Sequence, residues 1–137
     1  MTLTTAEAQK ILADNFAPWV LDLGLTVERA DGDLTVLRLP WSDRLAREGG
    51  ALSGQAMMAA ADTATVVAVS AARGAYGPMT TVQQSTSFLR PVMGTDVLIE
   101  VRLPKLGRRM AFAEITLTPD GATDPAARAS TVYALLG

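Results

Sequence analysis

The stretch from Ala51 to Ala72 constrains the fold more than any other part of the chain. It is rich in Ala, Val and Met, and Asp62, near its centre, is its single charged residue. Ser53 is a good N-cap, the alanine content favours helix directly, and Gly74 followed by Tyr76-Gly77-Pro78 supplies a stop. The pattern predicts one helix over 53–73, apolar on all sides and therefore buried on most of them. Its length invites a membrane-spanning reading. Against that stand Ser53, Gln55, Asp62, Thr63, Thr65 and Ser70, and a single leucine.

The flanking sequence supplies what would bury such a rod. Residues 4–22 carry Ile11, Leu12, Phe16, Trp19 and Val20 at helical spacing, with Thr4 or Thr5 as cap, a break or short turn near Pro18, and an end at Gly24. Residues 25–39 read as two strands joined by a turn at Asp31-Gly32. "PWSDRLAREGG" reads as a loop. Four strands follow residue 79: "MTTVQQSTSFL", "DVLIEVRL", "RRMAFAEITLT" and "AARASTVYALL". The second alternates Val97, Ile99, Val101 and Leu103 against Asp96, Leu98, Glu100 and Arg102. Turns are expected at Lys105 to Gly107 and in "PDGATDP", so the last strands should be antiparallel neighbours. The expected architecture is α+β: an N-terminal helix and a curved antiparallel sheet wrapped around one long central helix. With 137 residues, 49% hydrophobic and 19% charged, and no repeat or linker, the chain should form a single domain over 1–137.

Two absences narrow the chemistry. Without cysteine there is no disulfide framework, thiolate nucleophile or Cys-based zinc site. Without histidine there is no Ser-His-Asp triad and no Cys-His pair, and no metal centre is expected. Acid–base work in such a chain falls to Asp, Glu, Lys or Tyr, and first to a carboxylate. The net charge of −2 gives no general attraction to nucleic acid or to an anionic membrane, so neither is expected as a partner. The N-terminal "MTLTTAEAQKILADNF" is amphipathic and lacks the basic start and continuous apolar segment of a signal peptide, so the protein is expected in the cytoplasm.

On the central helix Gln55, Asp62 and Thr65 fall near one line, with Met58 and Ala59 between them. One reading of this stripe is a solvent-facing seam. The other is a partly buried carboxylate, favoured by the lack of Lys, Glu or Arg that a solvated face normally carries; burial would make it a more capable base. Ser53, Gly54 and Gln55 open the helix with unpaired N–H groups, and Gly54 lets a ligand oxygen approach the backbone. That is either an ordinary capped start or an oxyanion site. Gly54 and Asp62 are eight residues apart, roughly 12 Å along one helix, too far to act on one carbonyl. Two copies of the helix packed antiparallel about a two-fold axis near Met58 would bring residue 54 of one opposite residue 62 of the other. Ala59, Ala60 and Ala61 are small enough for close approach, so the geometry predicts a homodimer with two sites, each using both chains.

Three stretches, "GGALSGQAMMAAADTA", "TTVQQSTSFLRPV" and "VRLPKLGRRMAFAEITL", in this order and spacing, resemble the hotdog-fold acyl-CoA thioesterases, in particular the phenylacetic-acid-degradation (PaaI-type) branch. The resemblance covers roughly residues 20–136. It implies hydrolysis of an acyl-CoA by a homodimer or a dimer of dimers, with coenzyme A only as part of the substrate and no other cofactor. Asp62 matches the family's base or nucleophile, and Gly54 matches the glycine whose N–H polarises the thioester carbonyl. Thr80 or Thr81 matches a water-positioning hydroxyl. Ser53 stands where the family usually has His, Gln55 where it usually has a second Gly, and Arg47 or a neighbour where an Asn or Gln often assists from the preceding loop. Ser53 or Gln55 would have to substitute through a side-chain hydrogen bond. Arg90, Lys105, Arg108 and Arg109 are the candidate cations for the coenzyme A phosphates. Met57, Met58, Phe88 and Met110 are candidate linings of an acyl pocket, or plain core. Two other functions compete: a non-catalytic acyl-CoA-binding dimer, and a hydratase or dehydratase of acyl thioesters.

Overall fold

The computed structural model describes residues 3–137; Met1 and Thr2, where the N-terminal stretch begins, lie outside the described residues. Helix α1 runs Thr5–Asn15 and α2 runs Pro18–Leu21. Thr4 is the cap. Its hydroxyl accepts the Glu7 N–H at 3.0 Å and the Glu7 carboxylate accepts the Thr4 N–H at 2.9 Å, a reciprocal capping box. The expected break falls at Phe16–Ala17, where Pro18 cannot continue the ladder of α1 but suits the first turn of α2.

Strands β1 (Thr26–Ala30) and β2 (Thr35–Leu39) form the expected hairpin. Asp31 tightens its turn by accepting the N–H groups of Asp33 and Leu34, both at 2.9 Å. The loop that follows contains a short 3₁₀ turn, Asp43–Leu45. Helix α3 runs Gly54–Arg73 between the predicted signals: Ser53 accepts the Ala56 N–H, and Gly74 ends it at φ 81°, a left-handed conformation that glycine adopts without strain. Strands β3 (Met79–Phe88), β4 (Val97–Leu106), β5 (Met110–Pro119) and β6 (Ala127–Leu135) complete the chain.

All six strands belong to one antiparallel sheet in the order β1-β2-β4-β5-β6-β3. The expectation of neighbouring last strands holds for β4, β5 and β6. It fails for β3, which pairs with β6 at the far edge rather than with β4. Both flanks of β4 are already taken, by β2 and β5, so β3 joins the sheet at an edge, on the ladder of β6. A strand made of Thr, Gln and Ser suits an edge, where one face and one ladder meet water. The turn placed at Lys105 to Gly107 also moves: β4 continues through an irregularity between Arg102 and Lys105, and the reversal is made at 107–109.

Helix α3 touches every strand, which requires the sheet to curve around it. Thr63 to Ala71 are all buried, and against them lie Leu37, Leu39, Val97, Ile99, Val101, Ile115 and Leu117. The helix is long and apolar enough to cross a membrane by length and composition, yet most of its surface is covered by its own fold. Thr65 corrects the sequence reading. It is fully buried, bonded to the Ala61 carbonyl at 3.0 Å and to the Thr131 hydroxyl of β6 at 2.8 Å. At about 100° per residue, Gln55 falls within about 20° of Asp62 whereas Thr65 is turned about 60° away, into the sheet. The exposed stripe is Gln55, Met58, Ala59 and Asp62.

Candidate active site

Asp62 is half-buried on α3, at the base of a pocket of about 210 Å³ lined by Asn15, Phe16, Val66, Tyr76, Met79, Thr80, Thr81 and Tyr133. Three elements fix its carboxylate. Thr81 on β3 donates its hydroxyl to Oδ1 at 2.8 Å. Tyr133 on β6 donates to the same oxygen at 2.6 Å and lies 2.8 Å from the Asp62 backbone carbonyl. Both donors converge on Oδ1, which leaves Oδ2 as the oxygen available for chemistry. Burial first, and the hydrogen bond to Asp62 second, push the Tyr133 phenol up, so it stays protonated and keeps donating.

Of the two threonines expected to assist, Thr81 reaches the carboxylate; Thr80 lines the same pocket without a hydrogen bond to it. Tyr133 was not foreseen. The signal for it was present: an inward-facing tyrosine on a strand whose neighbours alternate with buried Ala129 and Thr131 needs a partner for its hydroxyl. Naming that partner required a contact 71 residues away in the chain.

The start of α3 faces elsewhere. Gly54 lines a second pocket, of about 450 Å³, with Arg47, Ala51, Leu52, Met57, Phe88 and Arg90. A Cβ at Gly54 would stand 3.2 Å from the Phe88 ring, so any larger residue here would push that ring aside by a few tenths of an ångström. Among the described residues the Gly54 and Gln55 N–H groups have no acceptor, as expected for the first turn of a helix. Ser53 and Gln55 do not share this pocket. They line a third, of about 340 Å³, with Trp19, Ser42 and Arg44. The Ser53 hydroxyl is already engaged by the Ala56 N–H at 3.2 Å. Within one chain, therefore, the carboxylate and the open N–H groups belong to different pockets, as the spacing of the two residues requires.

The four candidate cations are also divided. Arg90 lies beside Gly54, donates to the Pro125 carbonyl at 3.1 Å and is 3.9 Å from Asp124. Arg108 lies at the other end of α3, in a pocket of about 580 Å³ with Arg73, Leu106, Gly107 and Gly137. Lys105 ends up on β4 and Arg109 in the turn beside it. Arg73, the last residue of α3, joins Arg108 there; the sequence reading did not name it because which turn the helix end abuts is set by distant elements. Of the candidate acyl-pocket linings, Met57 and Phe88 border the Gly54 pocket, Met58 is 40% exposed, and Met110 pairs with Ala134 inside the sheet.

One antiparallel six-stranded sheet around a long helix, with an N-terminal helix at its side, is a hotdog fold, and comparison with known proteins gives its class. Residues 49–126 match the thioesterase superfamily. The chain is similar over 98% of its length to 93% of a Silicibacter sp. TM1040 protein provisionally designated a thioesterase, at 29% identity and a TM-score of 0.87. It is similar in fold to zebra fish thioesterase superfamily member 2, at 24% identity and a TM-score of 0.85, over 98% of this chain and 100% of that one. A mutant thioesterase from Pseudomonas aeruginosa shares the fold at 19% identity and a TM-score of 0.85, over 99% and 96% of the two chains. No curated protein shows significant sequence similarity. The chain belongs to the thioesterase superfamily.

Proposed function

We propose that this protein hydrolyses acyl-CoA thioesters to the free acid and CoA, as a homodimer in which Asp62 of one subunit faces the α3 N-terminus of the other. The observation that carries the reading is the state of Asp62: it lines a pocket, Oδ1 is held by Thr81 and Tyr133, and Oδ2 has no hydrogen-bond partner among the described residues. Oδ2 takes a proton from water as the water oxygen bonds to the thioester carbon. The carbonyl electron pair moves to oxygen, where the partner's Gly54 N–H receives it. Collapse breaks the C–S bond, and the departing thiolate takes the proton back from Asp62. Direct attack by Oδ2, followed by hydrolysis of the resulting anhydride, uses the same atoms in a different order.

The dimer is supported by the surface around Met58. Strand β3 is an edge strand with a free ladder and Val82 58% exposed, and it runs beside the stripe of Gln55, Met58 and Ala59. Arg90 with Arg47, or Lys105, Arg108 and Arg109 with Arg73, supply cations for the coenzyme A phosphates. PaaI-type specificity and assembly of two dimers into a tetramer extend the same reading. A non-catalytic acyl-CoA-binding dimer is favoured by one observation: the residue at the usual histidine position, Ser53, is occupied as a helix cap. A hydratase or dehydratase has no such support, since the chain has no histidine to pair with the carboxylate.

Complementation tests the shared site directly. Gly54 is the first helical residue, where proline is well tolerated, and Ser53 already has an extended backbone at ψ 146°, compatible with a following proline. Gly54→Pro therefore removes the N–H at a helix position that tolerates proline, and Gly54→Ala, which adds the same Cβ beside the Phe88 ring but keeps the N–H, is its control. Alone, Gly54→Pro should lower kcat about 10²–10³-fold. Refolded as a mixture with Asp62→Asn, it should recover about one quarter of wild-type thiol release, because half the dimers then carry one intact site of two. Binding of acyl-CoA without thiol release by the wild type would support the non-catalytic reading. Turnover with no recovery in the mixture would place both groups on one chain.

A further inference from the structure

We propose that the acyl group is housed between α1, α2 and α3, in the pocket behind Phe16, and that its apolar walls select alkyl or aryl-terminated chains over chains that end in a polar group. This rests on the reading of Asp62 as the reacting carboxylate.

The pocket has a volume of about 350 Å³ and is walled chiefly by Leu12, Ala13, Phe16, Val20, Leu21 and Leu25. Two observations join it to the carboxylate. Phe16 lines both this pocket and the Asp62 pocket, and it packs against both hydrophobic clusters of the fold. Thr63, the residue after Asp62, forms part of the wall on the α3 side. A chain whose carbonyl lies at Asp62 Oδ2 therefore meets the Phe16 ring and, once that half-buried ring turns, the apolar space behind it.

The chemistry of the occupant follows from the polar atoms. Two polar side chains border the pocket, and both are committed elsewhere. The Gln9 amide donates to the Leu25 carbonyl at 3.1 Å and accepts the Val27 N–H at 2.8 Å. The Thr63 hydroxyl donates to the Ala59 carbonyl at 2.8 Å. An acyl tail with a hydroxyl or carboxyl at its far end would lose water here and gain no partner, whereas methylene or phenyl groups would lose nothing. The opposite holds around Gly54, where Arg47 and Arg90 stand at the pocket edge. The substrate is thus polarised across the carbonyl, with the charged coenzyme towards the arginines of one subunit and the hydrocarbon under the N-terminal helices of the other.

The expected behaviour is a length-dependent affinity that lives in this pocket. Non-hydrolysable S-alkyl-CoA thioethers read it by calorimetry without any turnover. For the wild type, S-octyl-CoA should bind at least tenfold tighter than S-ethyl-CoA, since burying one methylene is worth about fourfold and burying two of the six added ones already exceeds tenfold. Ala13→Trp on α1 and Leu21→Trp on α2 are both at exposed positions, and each should erase most of that gain while melting as cooperatively as the wild type. A gain that persists in both variants, or no dependence on length in the wild type, overturns the proposal. Length-dependent binding without hydrolysis of octanoyl-CoA would retain this acyl site and remove the hydrolytic reading. Hydrolysis of octanoyl-CoA with unchanged chain-length preference in both variants would do the reverse. A terminal carboxyl on the alkyl chain should weaken binding about tenfold or more, and equal affinity would refute the apolar selection.

Discussion

The two halves of α3 have similar composition and opposite surroundings. From Thr63 to Ala71 every residue is buried, and the polar side chains there are tied to the helix itself or to the sheet: Thr63 and Ser70 to carbonyls one turn back, Thr65 also to Thr131. From Gly54 to Asp62 the helix keeps an open stripe, and its first N–H groups and its one carboxylate remain accessible. The second half is a packing element. The first half combines a free donor, a free acceptor oxygen and small residues along one line, an arrangement that packing alone does not require. Asp62 marks the boundary between the two regimes, where the sheet can still reach the carboxylate through Thr81 and Tyr133 but no longer encloses it.

The contrast breaks most visibly at Asp62. Asp62→Asn is nearly isosteric and should lower kcat for thioester hydrolysis by about 10²–10⁴-fold, with unchanged assembly in sedimentation and an unchanged melting temperature. Normal turnover in that variant ends the assignment. In the packing half, Val67→Ala deletes two methyl groups from a fully buried site and should reduce unfolding free energy by about 2 kcal/mol. Its turnover per folded molecule should match the wild type, so denaturant melts and initial rates separate the two halves of the helix.

Tyr133 sharpens the boundary. Tyr133→Phe removes one donor to Oδ1 and should lower kcat about tenfold with KM little changed, as expected when an orienting hydrogen bond to a charged group is lost. Because burial holds this phenol un-ionised, absorbance near 295 nm should show the same tyrosine ionisation in wild type and Tyr133→Phe up to about pH 11 while both remain folded. A wild-type excess below that pH would mean that the hydroxyl is open to water.

The smallest effect lies far from the helix. The Asp96 carboxylate accepts the Trp41 N–H at 2.7 Å and the Arg38 guanidinium at 3.0 Å, and these, in that order, hold it below the usual carboxylate range. A lowered folded value contributes stability above the ordinary carboxylate pKa and loses it as pH falls through the folded one. Asp96→Asn should therefore cost about 1 kcal/mol at neutral pH, since the group is partly screened by solvent. The difference from wild type should vanish in acid, which melting across pH would read.

Much of the fold was legible because its signals are local. The Ser53 and Gly74 caps, the Asp31-Gly32 turn, the Pro18 break and the alternation of β4 are each decided within a few residues. The position of β3 was not, because a strand's own pattern does not name the ladder it joins. Thr65 was misplaced by treating a seven-plus-three spacing as one line, although the 60° offset is enough to turn a side chain from stripe to core. At the site, Asp62 and Gly54 stood out as a lone charge and a bare helix start. Tyr133 and Arg73 did not, because each acquires its surroundings only when elements distant in sequence meet. The four cations chosen for coenzyme A fell into two groups for the same reason.

The Tyr133 hydroxyl reaches both the side chain and the main-chain carbonyl of Asp62, so a single phenol registers the last strand against the middle of the helix. Any sliding of that helix along the sheet would be felt at once by the carboxylate. During refolding, then, secondary structure by itself should be silent in an activity assay. Turnover, which on the shared-site reading also awaits the pairing of two subunits, should never precede the kinetic phase that seats this tyrosine.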